Sequence, residues 1–124
     1  SEDILMERAG EGVVTLAKNM VPKEGKILLL CGKGNNAGDA YVAGRYLLQL
    51  GYHVAAYEAL EATSPLCKKN KELFAKAGGV FQENLHADLV VDGLFGTGFK
   101  GELEGALGKL VSSIKAPVLA IDIH

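Results

Sequence analysis

Asn35, Asn36, Asp39, Asp92 and Asp122 are the residues whose types and spacing could do chemistry, because each stands at or just beyond the end of an apolar run. Ile27 to Cys31 leads into Gly32-Lys33-Gly34-Asn35-Asn36-Ala37-Gly38-Asp39, where asparagine and aspartate oxygens are set among glycines. Such a segment can offer main-chain amides to a phosphate and side-chain oxygens to a cation. The alternative is structural: the asparagines tolerate left-handed turn geometry and Asp39 caps a helix.

Asp92 lies inside Leu89-Val90-Val91-Asp92-Gly93-Leu94-Phe95, where an unpaired carboxylate would cost several kcal/mol. It therefore needs a partner, and either a cation or main-chain amides would serve. Asp122, between Ile121 and Ile123, repeats the pattern of one carboxylate at the mouth of a buried strand, placed for acid–base work or for anchoring a loop. Lys100 could meet a phosphate or stay solvated.

These residues must be positioned by alternating elements. Leu5, Ala9, Val13, Leu16 and Met20 share one helical face, which predicts a first helix over 2–20, stopped by Pro22 and Gly25. Ile27–Cys31 reads as a strand buried on both faces. Val42, Ala43, Tyr46, Leu47 and Leu50 give a helix ended by Gly51, and His53–Glu58 a second strand. Ser64-Pro65 opens a helix that runs to Gly78-Gly79. Val80-Phe81 is a short extra strand, Ala87–Phe95 a longer one, and Pro117–Ile123 the last. Between them Leu103, Ala106, Leu107, Leu110 and Ile114 give a helix with an acidic start at Glu102 and Glu104.

The alternation predicts one domain over 1–124 with the α/β class: a Rossmann-like three-layer sandwich on a mostly parallel sheet, cut short on its C-terminal side. Both chain ends read as cuts in a longer protein. In such a sheet the site lies beyond the carboxyl ends of the strands, where strand order reverses. A dinucleotide fingerprint after the first strand fits loosely, since Gly32, Gly34 and Gly38 are spaced one residue too wide, although Glu58 stands where a ribose-binding acid would. Gly96-Thr97-Gly98-Phe99-Lys100-Gly101 matches the fingerprint literally but follows a later strand.

Composition narrows the classes. In 124 residues, 48 % hydrophobic and 23 % charged with a net charge of −2, there is no basic footprint for nucleic acid and no apolar run that spans a bilayer. The reading is a cytoplasmic protein. Cys31 and Cys67 lack zinc-type spacing and read as buried thiols. His53 and His86 are placed at strand starts on the far edge as surface residues, and Tyr41 either lines the site or packs on the sheet.

Four segments in order, Leu5-Met6-Glu7-Arg8-Ala9-Gly10, Cys31 to Asp39, Val91 to Gly101 and Ala120-Ile121-Asp122-Ile123, make the chain resemble the YjeF N-terminal domain, the family of NAD(P)H-hydrate epimerases. The resemblance implies a repair enzyme that interconverts the R and S forms of hydrated NADH and NADPH (NADHX and NADPHX). It implies a dehydratase partner for the S form, fused or separate, and a possible homodimer through helix one.

By the same resemblance Asn35, Asn36, Ala37, Gly38 and Asp39 bind substrate, as do Gly96, Thr97, Gly98, Phe99, Lys100, Gly101 and Glu102, which close on its phosphates. Asn36 and Asp92 are implied ligands of one potassium ion per subunit. Asp122 is implied to contact the damaged nicotinamide end, and it is the candidate acid–base group. Ala37 replaces a common glycine. The family continues after Ile123 with Pro-Ser-Gly and another aspartate, its serine contributing to the potassium site, whereas His124 holds the proline position here. The rival readings are a non-catalytic scaffold or nucleotide-binding domain on the same fold, and an NAD(P)-dependent dehydrogenase with Glu58 on the ribose.

Overall fold

The computed structural model describes residues 1–94 and 105–121. Among these, five parallel strands form one sheet: β1 (Lys26–Cys31), β2 (His53–Glu58), β3 (Val80–Phe81), β4 (Leu89–Gly93) and β5 (Val118–Ala120), in the spatial order β3-β2-β1-β4-β5. Four helices accompany them: α1 (Glu2–Lys18), α2 (Asn35–Gln49), α3 (Pro65–Lys76) and α4 (Gly105–Ser112). The chain moves outward from β1 to β3, then returns to the other side of β1 for β4, so strand order reverses between β1 and β4.

The Rossmann-like expectation therefore holds, and the reason lies in β1. Ile27, Leu29 and Cys31 face the cluster built with α1, α2 and α3, while Leu28 and Leu30 face the cluster that takes in Leu107, Leu110 and Ile114 around α4. A strand apolar on both faces is stable only between two layers of helices. At the opposite edge Lys26 N–H donates to Asp88 Oδ2 at 2.8 Å, clasping β1 to the segment that enters β4. His53 and His86 are exposed at that edge, as expected.

Several boundaries and one face differ from the sequence reading. The stripe chosen for α1 is mostly on the outside: Leu5, Leu16 and Met20 are 62 %, 53 % and 43 % exposed. The buried face is Met6, Gly10, Val13, Val14 and Ala17. Gly10 explains the choice, since a Cβ there would lie 2.3 Å from Val42 Cγ1, and only a glycine lets α1 approach α2 this closely. The first helix ends at Lys18 rather than residue 20.

β4 runs from Leu89 to Gly93 and β5 from Val118 to Ala120, both shorter than expected. Gly51 has φ 93°, the left-handed residue that terminates α2. Ser64 caps α3 by accepting from Cys67 N–H at 3.1 Å. Tyr41 is fully buried and packs beside Phe74, ring centroids 5.7 Å apart, so it belongs to the core. No helix among the described residues is long and apolar enough to cross a membrane.

Candidate functional site

The reversal of strand order puts a crevice beyond the carboxyl ends of β1 and β4. The two strands are in register there, Leu30 beside Asp92 and Cys31 beside Gly93, and Gly32 N–H donates to Gly93 O at 3.4 Å. From this common level the segment after β1 turns into α2, and the chain after β4 passes through Leu94.

The helix starts earlier than the sequence suggested. Asn35, Asn36, Ala37, Gly38 and Asp39 are the first five residues of α2, with Gly34 as N-cap, and not an irregular loop. Helix-poor residues are tolerated in a first turn, whose N–H groups have no intrahelical partners in any case. Because Gly34 has no side chain to close that turn, the helix start presents main-chain amides of the kind that hold phosphates.

The five then divide among several neighbours. Asn36 and Ala37 lie over β4, where a Cβ on Gly93 would meet Asn36 O at 2.9 Å and Ala37 Cα at 3.1 Å. Asn35 Oδ1 accepts from Ser64 Oγ at 3.1 Å, joining the start of α2 to the cap of α3. Lys33 O accepts from Thr63 N–H at 2.9 Å and Ser64 N–H at 3.2 Å, so the turn before α2 is laced to the turn before α3. Gly38 is turned the other way, against Met6, where a Cβ would lie 2.7 Å from the sulfur.

Asp39 also points away from the crevice. It is buried at 2 % exposure and borders a small cavity of about 60 Å³ shared with Glu2, Met6, Asn35 and Leu66. It does not cap α2, since it is the fifth helical residue. Burial pushes its carboxyl up to about 7.

Asp92 is buried at the end of β4, and its Oδ1 accepts from Leu94 N–H at 2.9 Å, while its main-chain oxygen accepts from Ile121 N–H at 3.1 Å. A main-chain amide therefore supplies one of the partners the sequence demanded for it. The bond to Ile121 holds the end of β5 at the level of Asp92. Asp122 follows Ile121 in the chain and lies outside the described residues, as do Gly96, Thr97, Gly98, Phe99, Lys100, Gly101 and Glu102.

The two cysteines are structural. Cys31 and Cys67 are free and wholly buried, and desolvation pushes both thiols up, Cys67 to about 11, which leaves them protonated and unreactive at neutral pH. Glu58 ends β2 and is paired with Lys71 of α3. That pair was not legible in the sequence, although the acid itself was.

Oxygen donors from Asn36 and Asp92 suit a hard cation, and the packing of Asn36 on Gly93, the neighbour of Asp92, places both residues at the same crevice. Among the described residues no cluster of three or more His, Cys, Asp or Glu offers a transition-metal site.

Comparison with known proteins agrees with the architecture. The crystal structure of yeast ynu0 superposes with a TM-score of 0.81 at 20 % identity, over 99 % of this chain and 61 % of that one. A protein of Rhodopirellula baltica named NAD(P)H-hydrate epimerase is 37 % identical, across 97 % of this chain and 54 % of its own length. One of the same name from Dictyostelium discoideum is 32 % identical, across 99 % and 58 %. The bifunctional NAD(P)H-hydrate repair enzyme Nnr of Thermofilum pendens is 36 % identical, across 98 % of this chain but only 26 % of its own. The chain thus spans about half the length of the two epimerases and about a quarter of the bifunctional enzyme. The model of one family, YjeF-related protein N-terminus, matches residues 2–123, nearly the whole chain, and it is to this family that the chain belongs.

Proposed function

We propose that the chain epimerises hydrated NADH and NADPH, interconverting their R and S forms. The observation that carries the reading is the meeting of Asn36 with Gly93 beside Asp92 at the reversal of strand order, the place where an α/β sheet binds nucleotides. The names of the Rhodopirellula and Dictyostelium relatives support the choice of substrate.

Epimerisation at the hydrated ring carbon needs no redox step. The ring-nitrogen lone pair expels the hydroxyl, leaving an iminium, and water adds back to either face. A carboxyl group beside the hydroxyl protonates it as it leaves and takes a proton from the returning water. Asp122 is assigned this role from the family pattern. The open start of α2 holds the pyrophosphate through main-chain amides. Gly96 to Glu102 are assigned, from the same pattern, to closing over the phosphates.

Asn36 and Asp92 would hold one potassium ion per subunit, whose charge offsets that of the phosphates. A dehydratase acting on the S form completes the repair, and the bifunctional Thermofilum relative supports a fused second activity. Exposed Leu5 and Leu16 of α1, with Met20 just beyond its end, are assigned to pairing with a second copy of the chain, because an apolar stripe is costly to leave in water.

The test follows R-to-S conversion of NADHX by chromatography, with the full-length protein and its Asp122→Asn variant. Conversion well above the uncatalysed rate, lost in the variant, is the expected result. No acceleration by the unaltered protein would end the epimerase reading, and full turnover by the variant would remove Asp122 from it.

A further inference from the structure

A second cavity, of about 320 Å³, opens at the carboxyl edge of the sheet over the ends of β2 and β3, lined by Tyr57, Glu58, Lys71, Phe81, Gln82 and Glu83. We propose that it is the seat of the adenosine half of a dinucleotide, with Phe81 against the base and Glu58 reading the ribose 2′ position. This rests on the epimerase reading of the β1–β4 crevice.

The direction of the ligand follows from strand order. β5 and β2 lie on opposite sides of the β1–β4 pair. If the nicotinamide end lies toward β5, whose Ile121 is joined to Asp92, and the pyrophosphate at the start of α2, the adenosine must run toward β2. Adjacent strands are about 4.8 Å apart, so the end of β2 is one spacing from β1 and that of β3 two. This is the reach of a ribose followed by a base.

The chemistry of the walls suits that half. Phe81 is 43 % exposed and packs edge-on to Phe74, centroids 5.8 Å apart, which holds the ring at the wall of the cavity. Bases stack on such rings whatever their identity. The rim is ordered, because Gln82 Nε2 donates to Asn84 O at 2.9 Å and to His86 O at 3.1 Å.

Glu58 stands about 20 residues beyond Gly38, the spacing at which an acidic residue accepts from a ribose 2′-hydroxyl in dinucleotide folds. Lys71 pairs with Glu58, and its Nζ is 5.6 Å from the Phe81 ring centre, so the carboxylate is held at the mouth of the cavity. A carboxylate in that place accepts from a 2′-hydroxyl, whereas a 2′-phosphate dianion has no proton to donate to it. The cavity is thus a specificity determinant favouring the non-phosphorylated dinucleotide.

The test is calorimetric titration with ADP-ribose, 2′-phospho-ADP-ribose and nicotinamide mononucleotide, using the full-length protein and its Phe81→Ala and Glu58→Gln variants, each first shown to melt cooperatively. Expected are ADP-ribose binding weakened about tenfold in Phe81→Ala with mononucleotide binding unchanged, and a preference for ADP-ribose over its 2′-phosphate that shrinks about tenfold in Glu58→Gln. ADP-ribose binding that is equal in all three proteins, or a loss that extends equally to the mononucleotide, overturns the subsite. NADHX conversion is assayed alongside. Conversion with unaltered ADP-ribose affinities removes the subsite alone, whereas the expected affinities without conversion remove the epimerase reading alone.

Discussion

Gly93 lies so close to Asn36 that a methyl group on its Cα would sit 2.9 Å from the Asn36 main-chain oxygen and 3.0 Å from Ala40 Cβ. The contact is between the end of one strand and the backbone of the first turn of a helix, and neither can yield as a flexible side chain would.

Gly93→Ala should therefore push the start of α2 off β4. The expected cost is about 1–3 kcal/mol of stability, seen as a lower midpoint in urea, with a loss of NADHX turnover larger than the unfolded fraction explains. Gly10→Ala is the control. It clashes with Val42 between α1 and α2, and should lower stability while sparing turnover per folded molecule. Equal turnover losses in the two variants would detach the Asn36–Gly93 contact from the site.

Asp39 makes stability depend on pH. Its carboxyl is pushed up to about 7 when folded, so between about pH 4 and 7 the folded chain holds a proton that the unfolded chain has released. Stability contributed by this group therefore falls as pH rises through that window. Asp39→Asn should melt higher than the parent at pH 8, by on the order of 2–4 kcal/mol, with the gap closing below pH 4. A gap independent of pH would show that burial of the charge is not its source.

Ser64 serves two elements at once, accepting from Cys67 N–H and donating to Asn35 Oδ1. Ser64→Ala should cost about 1 kcal/mol through the lost cap. In a cycle with Asn35→Ala the two changes should be coupled by about 0.5–1 kcal/mol. Strict additivity in thermal or denaturant unfolding would mean that the turns before α2 and α3 do not support one another.

The stripe on α1 predicts self-association. Leu16→Glu should halve the mass found by sedimentation equilibrium at micromolar concentration while changing monomer stability by about 0.5 kcal/mol or less. An unchanged mass would free the stripe from this role.

Much of the architecture was legible because two signals agree in it: Ile27–Cys31 is apolar at every position, and Gly51 and Ser64-Pro65 punctuate the helices around β2. The face of α1 was not, because its two overlapping stripes have the same period. The reading favoured the bulky Leu5, Leu16 and Met20, whereas close helix contact selects the small Gly10 and Ala17. Residues 35–39, set among glycines after an apolar run, were read as the segment before the helix, and packing on Gly93 and Met6 makes them its first residues. For the site, Asn36 and Asp92 were foreseen at one edge and are found there. Asp39 was foreseen beside them and instead turns toward α1, a matter of helical phase that depends on where α2 begins. The partnership of Glu58 with Lys71 likewise depends on the tilt of α3.

The strand order has a consequence for how the molecule forms. β1–β2, β2–β3 and β4–β5 each join neighbours in sequence, but β1–β4 joins segments separated by two whole crossovers, and its clasp from Lys26 to Asp88 spans 62 residues. Closing that loop is the costliest entropic step in assembling the sheet. The crevice exists only once it is closed, so any ligand seated between Asn36 and Asp92 acts as a molecular staple across the least local pairing in the chain. Saturating ligand should thus slow opening of the β4–β5 half from the β1–β3 half, and hydrogen exchange at Val90 and Val91 would record it.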